Sequence, residues 1–410
     1  MVVRLDSLAA GGEAVGRDDA GRVVFVDGGV PGDLVEVELA ESRKRFARGR
    51  IARLIEPGDA RVAPPCPIAE RCGGCPWQAV AGDAQAAAKE AIVRRALRTL
   101  AVEVAPIVAA PSALGYRVRA TLHARDGVVG FFARRSHALV AVERCLALEP
   151  ALDRALAAAR ALEGGALAAA LGEDGALRGT VTPRGEVHLQ LVAGRGADAA
   201  RLDALAGALV ACGVAAGALV GARAYGAAEL DAGEPDAPHL VSAAGFRQAD
   251  HAQNARLRAL VLAALEPDGR EVLELYAGDG NFTRDLHRRA ARVVAVEEDA
   301  AAVARLRRAM GGVEAVVARV EVDVVARAAR GERWSRVLLD PPRAGAADAL
   351  AAIAAVAGER IVYVSCDPAT LARDAAALAA RGWRALGATP VDLMPHTDHV
   401  EVVLTLVRGG

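Results

Sequence analysis

The chain has 410 residues, of which 53% are apolar, 25% charged and only 3% aromatic, and its formal net charge is −1. That length supports two or three units with cores of their own, and a balance so near neutrality excludes a polycation that holds nucleic acid by bulk charge. No apolar run reaches the length of a membrane span, and the start Met1-Val-Val-Arg-Leu-Asp6 lacks the apolar core of a secretory signal, so the expectation is a cytoplasmic protein with no membrane contact and no protein partner implied.

Residues 1–58 are expected to form short strands over Val2–Leu5, Val23–Val26, Leu34–Leu39 and Gly49–Ile55, punctuated by Gly11-Gly12, Gly28-Gly29 and Pro31-Gly32. A small five-stranded OB-like barrel fits this spacing, and barrels of that kind often bind oligonucleotides. The run Arg43-Lys44-Arg45, with Arg48, Arg50 and Arg53, gives the segment a local positive charge that suits RNA or merely a solvated face.

Residues 59–235 read as a mixed α+β unit. Cys66, Cys72 and Cys75 open it, an alanine-rich helix follows over Gln85–Leu100, and strands are expected around Tyr116–His123 and Val128–Phe132. Between Arg117 and Arg144 six arginines face only Asp126 and Glu143. In a reducing compartment four thiols (Cys145 is the next in sequence) do not read as disulfides. They suit zinc or an iron–sulfur cluster, with unrelated buried thiols as the plain alternative. Paired Cys-x-x-Cys knuckles would favour zinc, whereas a loose triplet with one remote cysteine is more typical of a cluster. Cys212, in an Ala/Gly stretch, reads as core, and the acidic, turn-rich Gly233–Pro238 reads as a linker.

Residues 236–410 alternate strands (Glu271–Tyr276, Val293–Glu297, Val337–Asp340, Arg360–Ser365) with alanine-rich helical stretches, the pattern of a doubly wound α/β unit. The segment Val272-Leu-Glu-Leu-Tyr-Ala-Gly-Asp-Gly-Asn-Phe282 is a strand running into a glycine-rich turn, and Glu297 ends the next strand. Gly278 and Gly280 let backbone approach a ligand, and the acid is placed to accept from ribose hydroxyls. A third glycine is missing, which favours S-adenosylmethionine, with no phosphate to cradle, over a dinucleotide. Asp340-Pro-Pro-Arg343 follows a strand and points an aspartate at the crevice where α/β ligands bind. In Ile361-Val-Tyr-Val-Ser-Cys-Asp-Pro368 a strand ends in a thiol at the start of a helix. Asp367 is placed to cap that helix and Pro368 fits its first turn. The helix dipole favours the Cys366 thiolate while Asp367 opposes it.

Together these pieces resemble the RNA (uracil-5-)-methyltransferases over essentially the whole chain. The barrel is similar to a TRAM domain, which implies RNA binding. Cys66-Pro-Ile-Ala-Glu-Arg-Cys-Gly-Gly-Cys75-Pro-Trp-Gln78, with Cys145, resembles the family's [4Fe-4S] site, and Phe246-Arg-Gln-Ala-Asp250 resembles its Phe-x-Gln-x-Asn motif. The resemblance implies a Rossmann-like class I methyltransferase unit using S-adenosylmethionine, with Gln248, Tyr276, Asn281, Glu297 and Asp340 lining the pocket. Cys366 matches the family nucleophile, and Glu401, in Pro395-His-Thr-Asp-His-Val-Glu401, matches its general base. Asp250 stands where the family usually has Asn, and Leu146 stands where proline is common. The resemblance points to 23S ribosomal RNA as substrate, with tRNA as the second choice and a catalytically inactive RNA-binding homologue as the non-enzyme alternative. A radical methylthiotransferase would need Cys-x3-Cys-x2-Cys. An amino-directed methyltransferase would place an aromatic residue where Arg343 stands.

Overall fold

A computed structural model describes residues 1–162 and 166–409. Five strands, β1 (Val2–Leu8), β2 (Ala14–Arg17), β3 (Val23–Asp27), β4 (Leu34–Ser42) and β5 (Phe46–Glu56), close into a barrel in the order β1-β2-β3-β5-β4. Alternation along β1 and β4 sends Val3, Leu5, Val35 and Val37 inward, where they meet Val24 and Val26. Closure leaves no strand edge open. Gly49 is required by the pairing of β4 and β5, since a Cβ there would lie 2.3 Å from the Glu38 carbonyl oxygen. Much of the basic run on the barrel is paired with acids: Arg50 with Glu38 and Arg53 with Glu36 across the strands, at 2.8 and 3.1 Å, and Arg43 with its near neighbour Glu41 at 2.9 Å. Such exposed pairs add little stability, but they neutralise much of the charge that the sequence displays there.

Helix α1 (Gly82–Leu97) starts and ends three residues before the predicted limits. It packs against the C-terminal unit, burying Val93 and Leu97 in that unit's main core. The stretch after it continues the attachment, with Val104 and Val108 bridging in parallel to Ala388 and Val391.

The middle sheet comprises β6 (Arg119–Arg125), β7 (Val128–Phe132), β8 (Leu139–Ala141), β9 (Ala176–Val181), β10 (Val187–Val192), β11 (Gly217–Val220) and β12 (Arg223–Gly226), in the order β12-β11-β10-β9-β6-β7-β8. Helices α2 (Pro150–Leu162), α3 (Leu167–Leu171) and α4 (Ala199–Ala211) supply the leucines that form a core with Leu122, Leu177 and Leu189. Cys212 sits at the exposed C-terminus of α4 rather than in the core, because the helix stops at Ala211 before its buried stripe recurs. Gly233–Pro238 is no free linker. It is the turn of a hairpin, β13 (Leu230–Asp231) with β14 (Leu240–Val241), and Glu234 in it pairs with Arg258 and Arg284 at 3.3 Å each.

The C-terminal unit runs α5 (His251–Leu265), β15 (Glu271–Leu275), α6 (Thr283–Arg289), β16 (Arg292–Glu297), α7 (Ala300–Ala309), β17 (Glu314–Val317), α8 (Val320–Ala329), β18 (Trp334–Leu339), α9 (Leu350–Val356), β19 (Ala357–Ser365), α10 (Pro368–Ala379), β20 (Trp383–Val391) and β21 (Glu401–Arg408). Its sheet has the order β17-β16-β15-β18-β19-β21-β20, with β21 antiparallel to both neighbours and the first five strands parallel. The central strands are buried on both faces, which is why Val337–Leu339 and Ile361–Val364 read as continuous apolar runs. The reversal of strand order between β15 and β18 opens a crevice at the C-terminal ends of the parallel strands. Among the described residues no helix is long and apolar enough to cross a membrane.

Candidate active site

That crevice deepens into a cavity of about 570 Å³. Gln248, Tyr276, Gly278, Asn281, Glu297, Asp340, Arg343, Cys366 and Glu401 all line it, although more than 150 residues separate the first from the last. At the end of β15 the chain turns through Tyr276 at φ 62°, Gly278 at φ 58° and Gly280 at φ 97°. Tyr276 is a non-glycine residue in the left-handed region, a strain tolerated where the surroundings fix the turn. Glu297 supplies part of that fixing: its two oxygens accept from the N–H groups of Gly278 at 3.0 Å and Asp299 at 2.8 Å. Each carboxylate oxygen keeps a second lone-pair site for a ligand hydroxyl. Gly280 does not line the cavity. A Cβ there would lie 2.4 Å from the Met310 methyl, so this glycine serves the packing of the turn on α7 rather than the approach of a ligand.

Asn281 is held by an amide pair with Asn254 on α5, at 2.8 and 3.0 Å in the two directions. Asn254 also lines the cavity and was missed in the sequence, although it lies one helical turn after Asp250 and so on the same face. Asp250 is the N-cap of α5. Its carboxylate accepts from Ala252 and Gln253 at 2.7 and 3.1 Å, so it performs the capping job equally open to Asn.

The reacting end of the cavity is built from three strands. Asp340 follows β18, Cys366 follows β19, and Glu401 opens β21. Asp367 caps α10 through Thr370 N–H at 2.9 Å, with Pro368 in the first turn, as the spacing predicts. The helix start does not free the thiolate in the resting protein. Burial pushes the Cys366 thiol up to about 11, with the Glu401 charge adding to the shift and Arg343 pulling against it. Glu401 is buried at 5% exposure, where a strand-end carboxylate is ordinarily solvated. Burial, then the Asp340 charge, hold its carboxyl well above the usual range, against the pull of Arg343. Burial pushes Asp340 up to about 7. Arg343 is thus the cation that this acidic end leans on, and its Nη2 lies 3.1 Å from the His399 ring.

The loop between β20 and β21, which leads into Glu401, is anchored from outside the unit. Fully buried Lys89 on α1 donates to Asp392 at 2.6 Å and to the Met394 carbonyl at 3.0 Å. Gln85 Oε1 accepts from His396 N–H at 2.8 Å, Trp77 N–H donates to the His396 carbonyl at 2.9 Å, and Gly11 N–H donates to Asp398 at 2.7 Å. His396 therefore belongs to the anchor and His399 to Arg343.

Cys66, Cys72, Cys75 and Cys145 line a second cavity, of about 620 Å³, under the middle sheet. All four are free thiols. Burial pushes Cys75 up to about 11 and raises Cys72 and Cys145 as well, and their charges on one another add to it. Among the described residues no three His, Cys, Asp or Glu side chains converge tightly enough to hold a single metal ion.

Residues 239–409 match the tRNA (Uracil-5-)-methyltransferase family model and residues 2–52 match the TRAM domain. The chain is 35% identical to the 23S rRNA (uracil(1939)-C(5))-methyltransferase RlmD of Edwardsiella ictaluri, covering 98% of this chain and 94% of that one. It is 34% identical to the enzyme of the same name from Alkalilimnicola ehrlichii, over 99% and 96% of the two chains. The fold matches the crystal structure of Pyrococcus abyssi tRNA (uracil-54, C5)-methyltransferase in complex with S-adenosyl-L-homocysteine, with a TM-score of 0.75 at 21% identity over 99% of each chain. With its N-terminal TRAM barrel and its class I methyltransferase sheet, the chain belongs to the RNA (uracil-5-)-methyltransferase family.

Proposed function

We propose that this enzyme methylates C5 of a uridine in 23S ribosomal RNA, with Cys366 as nucleophile and Glu401 as general base. The observation that carries this reading is the meeting of Cys366, Asp340 and Glu401, from three strand ends, around Arg343 in one cavity. Uracil C5 is a poor nucleophile towards a methyl sulfonium. Attack of Cys366 Sγ on C6 forms an S–C6 bond, opens the C5=C6 double bond and leaves an enolate whose C5 is nucleophilic. S-adenosylmethionine supplies the electrophilic methyl group, which C5 takes up as the sulfur–methyl bond breaks and S-adenosylhomocysteine is released. Glu401 then removes the C5 proton, the double bond re-forms and the Cys366 sulfur departs. Burial raises both the thiol and the carboxyl, and Arg343 pulls both towards the ionised forms the reaction needs. In this reading Gln248, Tyr276, Gly278, Asn281, Glu297 and Asp340 hold the methyl donor and the base, and Gly280 supports their turn.

The division into an RNA-binding barrel (1–58), a cysteine-bearing middle segment (59–235) and a transferase segment (236–410), and a cytoplasmic location, belong to the same proposal. So does a [4Fe-4S] cluster held by Cys66, Cys72, Cys75 and Cys145. The four cysteines line one roomy cavity, and cysteine sulfur is the ligand such a cluster takes. Incubation with labelled S-adenosylmethionine and unmodified transcripts of 23S rRNA fragments or tRNA, followed by nucleoside analysis, tests the function. 5-Methyluridine in the 23S fragment is expected; its appearance in tRNA alone reassigns the substrate, and its absence from both overturns the reading.

A further inference from the structure

Helix α1 precedes the transferase unit in the chain, and its buried residues recur every four positions: Gln85, Lys89, Val93 and Leu97. That spacing puts all four on one face. Val93 and Leu97 sink into the transferase core and seat the helix there. The same seating delivers two polar side chains, Gln85 and Lys89, to the irregular stretch 392–400 between β20 and β21. Lys89 is fully buried, which is rare for a lysine unless its charge is paired. Its ammonium donates to Asp392 Oδ1 and to the Met394 carbonyl, and lies 6.0 Å from the Trp77 ring centroid. Burial pulls the ammonium below the usual lysine range, and the Asp392 charge pulls it back.

Both contacts of Lys89 bear on Glu401. Val391, the residue before Asp392, pairs across the sheet with Glu401, so fixing Asp392 fixes the strand end that lies beside Glu401. The Asp392 backbone is held as well: its N–H donates to the Val108 carbonyl at 3.0 Å, and its carbonyl accepts from Gln253 at 2.8 Å. From Met394 a chain of hydrogen bonds runs along the loop. The Thr397 hydroxyl donates to the Met394 carbonyl at 2.7 Å and accepts at 3.3 Å from the N–H of His399, two residues before Glu401. Loops are ordinarily among the more mobile parts of a protein. This one is tied to α1 at one end and along its own length up to the strand that carries Glu401. A buried ion pair adds little net stability, because desolvation offsets the attraction, and its best-attested use is to fix one arrangement among several.

We propose that Lys89 is a positioning residue for Glu401, holding the loop so that the carboxyl meets the C5 proton of the bound uracil. The inference rests on the proposed reaction, with Cys366 as nucleophile and Glu401 as base. In that reaction attack by Cys366 and methyl transfer come first. Glu401 then takes the C5 proton, the C5=C6 bond re-forms, and the S–C6 bond breaks with its electron pair leaving on sulfur. A displaced Glu401 leaves that proton without an acceptor, and the ring, already methylated, stays bonded to Cys366. The cofactor end of the cavity is held by other contacts, Glu297 on the glycine turn and Asn254 on Asn281, so loss of Lys89 separates the two ends.

Steady-state kinetics of full-length variants on the 23S fragment, with denaturing gels for the RNA–protein adduct, test it. Lys89→Met strands the Asp392 charge and should lower the temperature of thermal unfolding. Lys89→Met with Asp392→Asn removes both charges, keeps an acceptor for Met394 N–H and should recover that stability. Both variants should lower kcat by ~10- to ~100-fold, the upper figure being what a misplacement of about 1 Å costs, with the KM for S-adenosylmethionine unchanged. In both, the methylated adduct should accumulate during turnover, as it should in Glu401→Gln. Wild-type kcat in the double variant would mean that the pair only stabilises the fold, and would overturn the inference. So would a lowered kcat with no adduct, or a raised KM in place of a lowered kcat. If Glu401→Gln traps RNA and the Lys89 variants do not, the inference fails and the function stands. If Glu401→Gln itself traps no RNA, the assignment of the base falls and takes this inference with it.

Discussion

The transferase and cysteine cavities are nearly equal in volume, about 570 and 620 Å³, and are built on opposite plans. The first gathers its reacting groups at strand ends, with helix caps and buried neighbours holding each one. Asp367 is tied to Thr370 N–H, Glu297 to the glycine turn, and the loop before Glu401 to Lys89 and Gln85. The second gathers four thiols from loops, where Cys72 N–H donates to the Ile68 carbonyl at 2.9 Å and Cys145 N–H to Asp153 at 2.8 Å. Rigid elements can hold a reaction geometry before any ligand arrives. A donor set on loops is completed by the group it binds, since metal binding and local folding are linked. The two are joined through the loop before Glu401: Trp77, two residues after Cys75, donates to it, and its Asp398 lines the cysteine cavity.

The largest effect should come from the pre-built cavity. Cys366→Ala should abolish methylation and the covalent RNA adduct, a loss on the order of 10⁴-fold or more, as for other nucleophile removals. Turnover surviving in a nucleoside assay would refute the assignment. Next comes Glu401→Gln, which should allow attack and methyl transfer but block release of C5 hydrogen, cutting turnover by at least ~10²-fold. The protein should then be trapped on RNA as a band that resists denaturation. Lost turnover with no trapped band would mean that Glu401 is not the base.

The cysteine cavity should respond differently. Cys72→Ser should strip the iron and sulfide from an anaerobic preparation while S-adenosylmethionine affinity is retained. Unchanged iron and sulfide content would sink the cluster, and a parallel loss of S-adenosylmethionine binding would erase the contrast between the cavities.

The smallest effect concerns a buried acid beneath the transferase turn. Glu274 on β15 is 1% exposed, accepts from Thr283 at 2.6 Å and leaves Oε1 without a partner. Burial pushes it up to about 8, from an ordinary 4.5. Its folded pKa is raised, so the unfolded chain releases this proton first. The stabilising contribution is complete below pH 4.5 and drains away as pH rises to about 8, at up to ~1.4 kcal/mol per unit. Glu274→Gln keeps an acceptor for Thr283 and removes the charge. Thermal unfolding of the variant should therefore fall less than that of the wild type between pH 5 and 8. Parallel curves would mean that Glu274 is ionised in the folded protein.

Local chemistry made several of these features legible in the sequence. The caps at Asp250 and Asp367 depend on residues within three positions, and the central parallel strands depend on being apolar on both faces. β2 was not foreseen because Ala14-Val-Gly-Arg17 is too short and too glycine-broken to alternate visibly; it exists because β1 and β3 offer it partners. The basic run on the barrel looked like free charge, and only cross-strand register revealed its glutamates. Asn254 and Lys89 were equally silent, since one pairs with a residue 27 positions away and the other with a residue 303 away.

The sequence by itself determined the strand and helix grammar, the glycine turn, the thiol at the helix start and the family to which these motifs belong, because each is written in neighbouring residues. Tertiary structure decided what those residues are in chemical terms. Burial and the neighbouring acids raise the Glu401 carboxyl and the Cys366 thiol above their ordinary ranges, against the pull of Arg343. Proton affinity and charge pairing depend on dielectric and distance, and both are set by groups far apart in the chain.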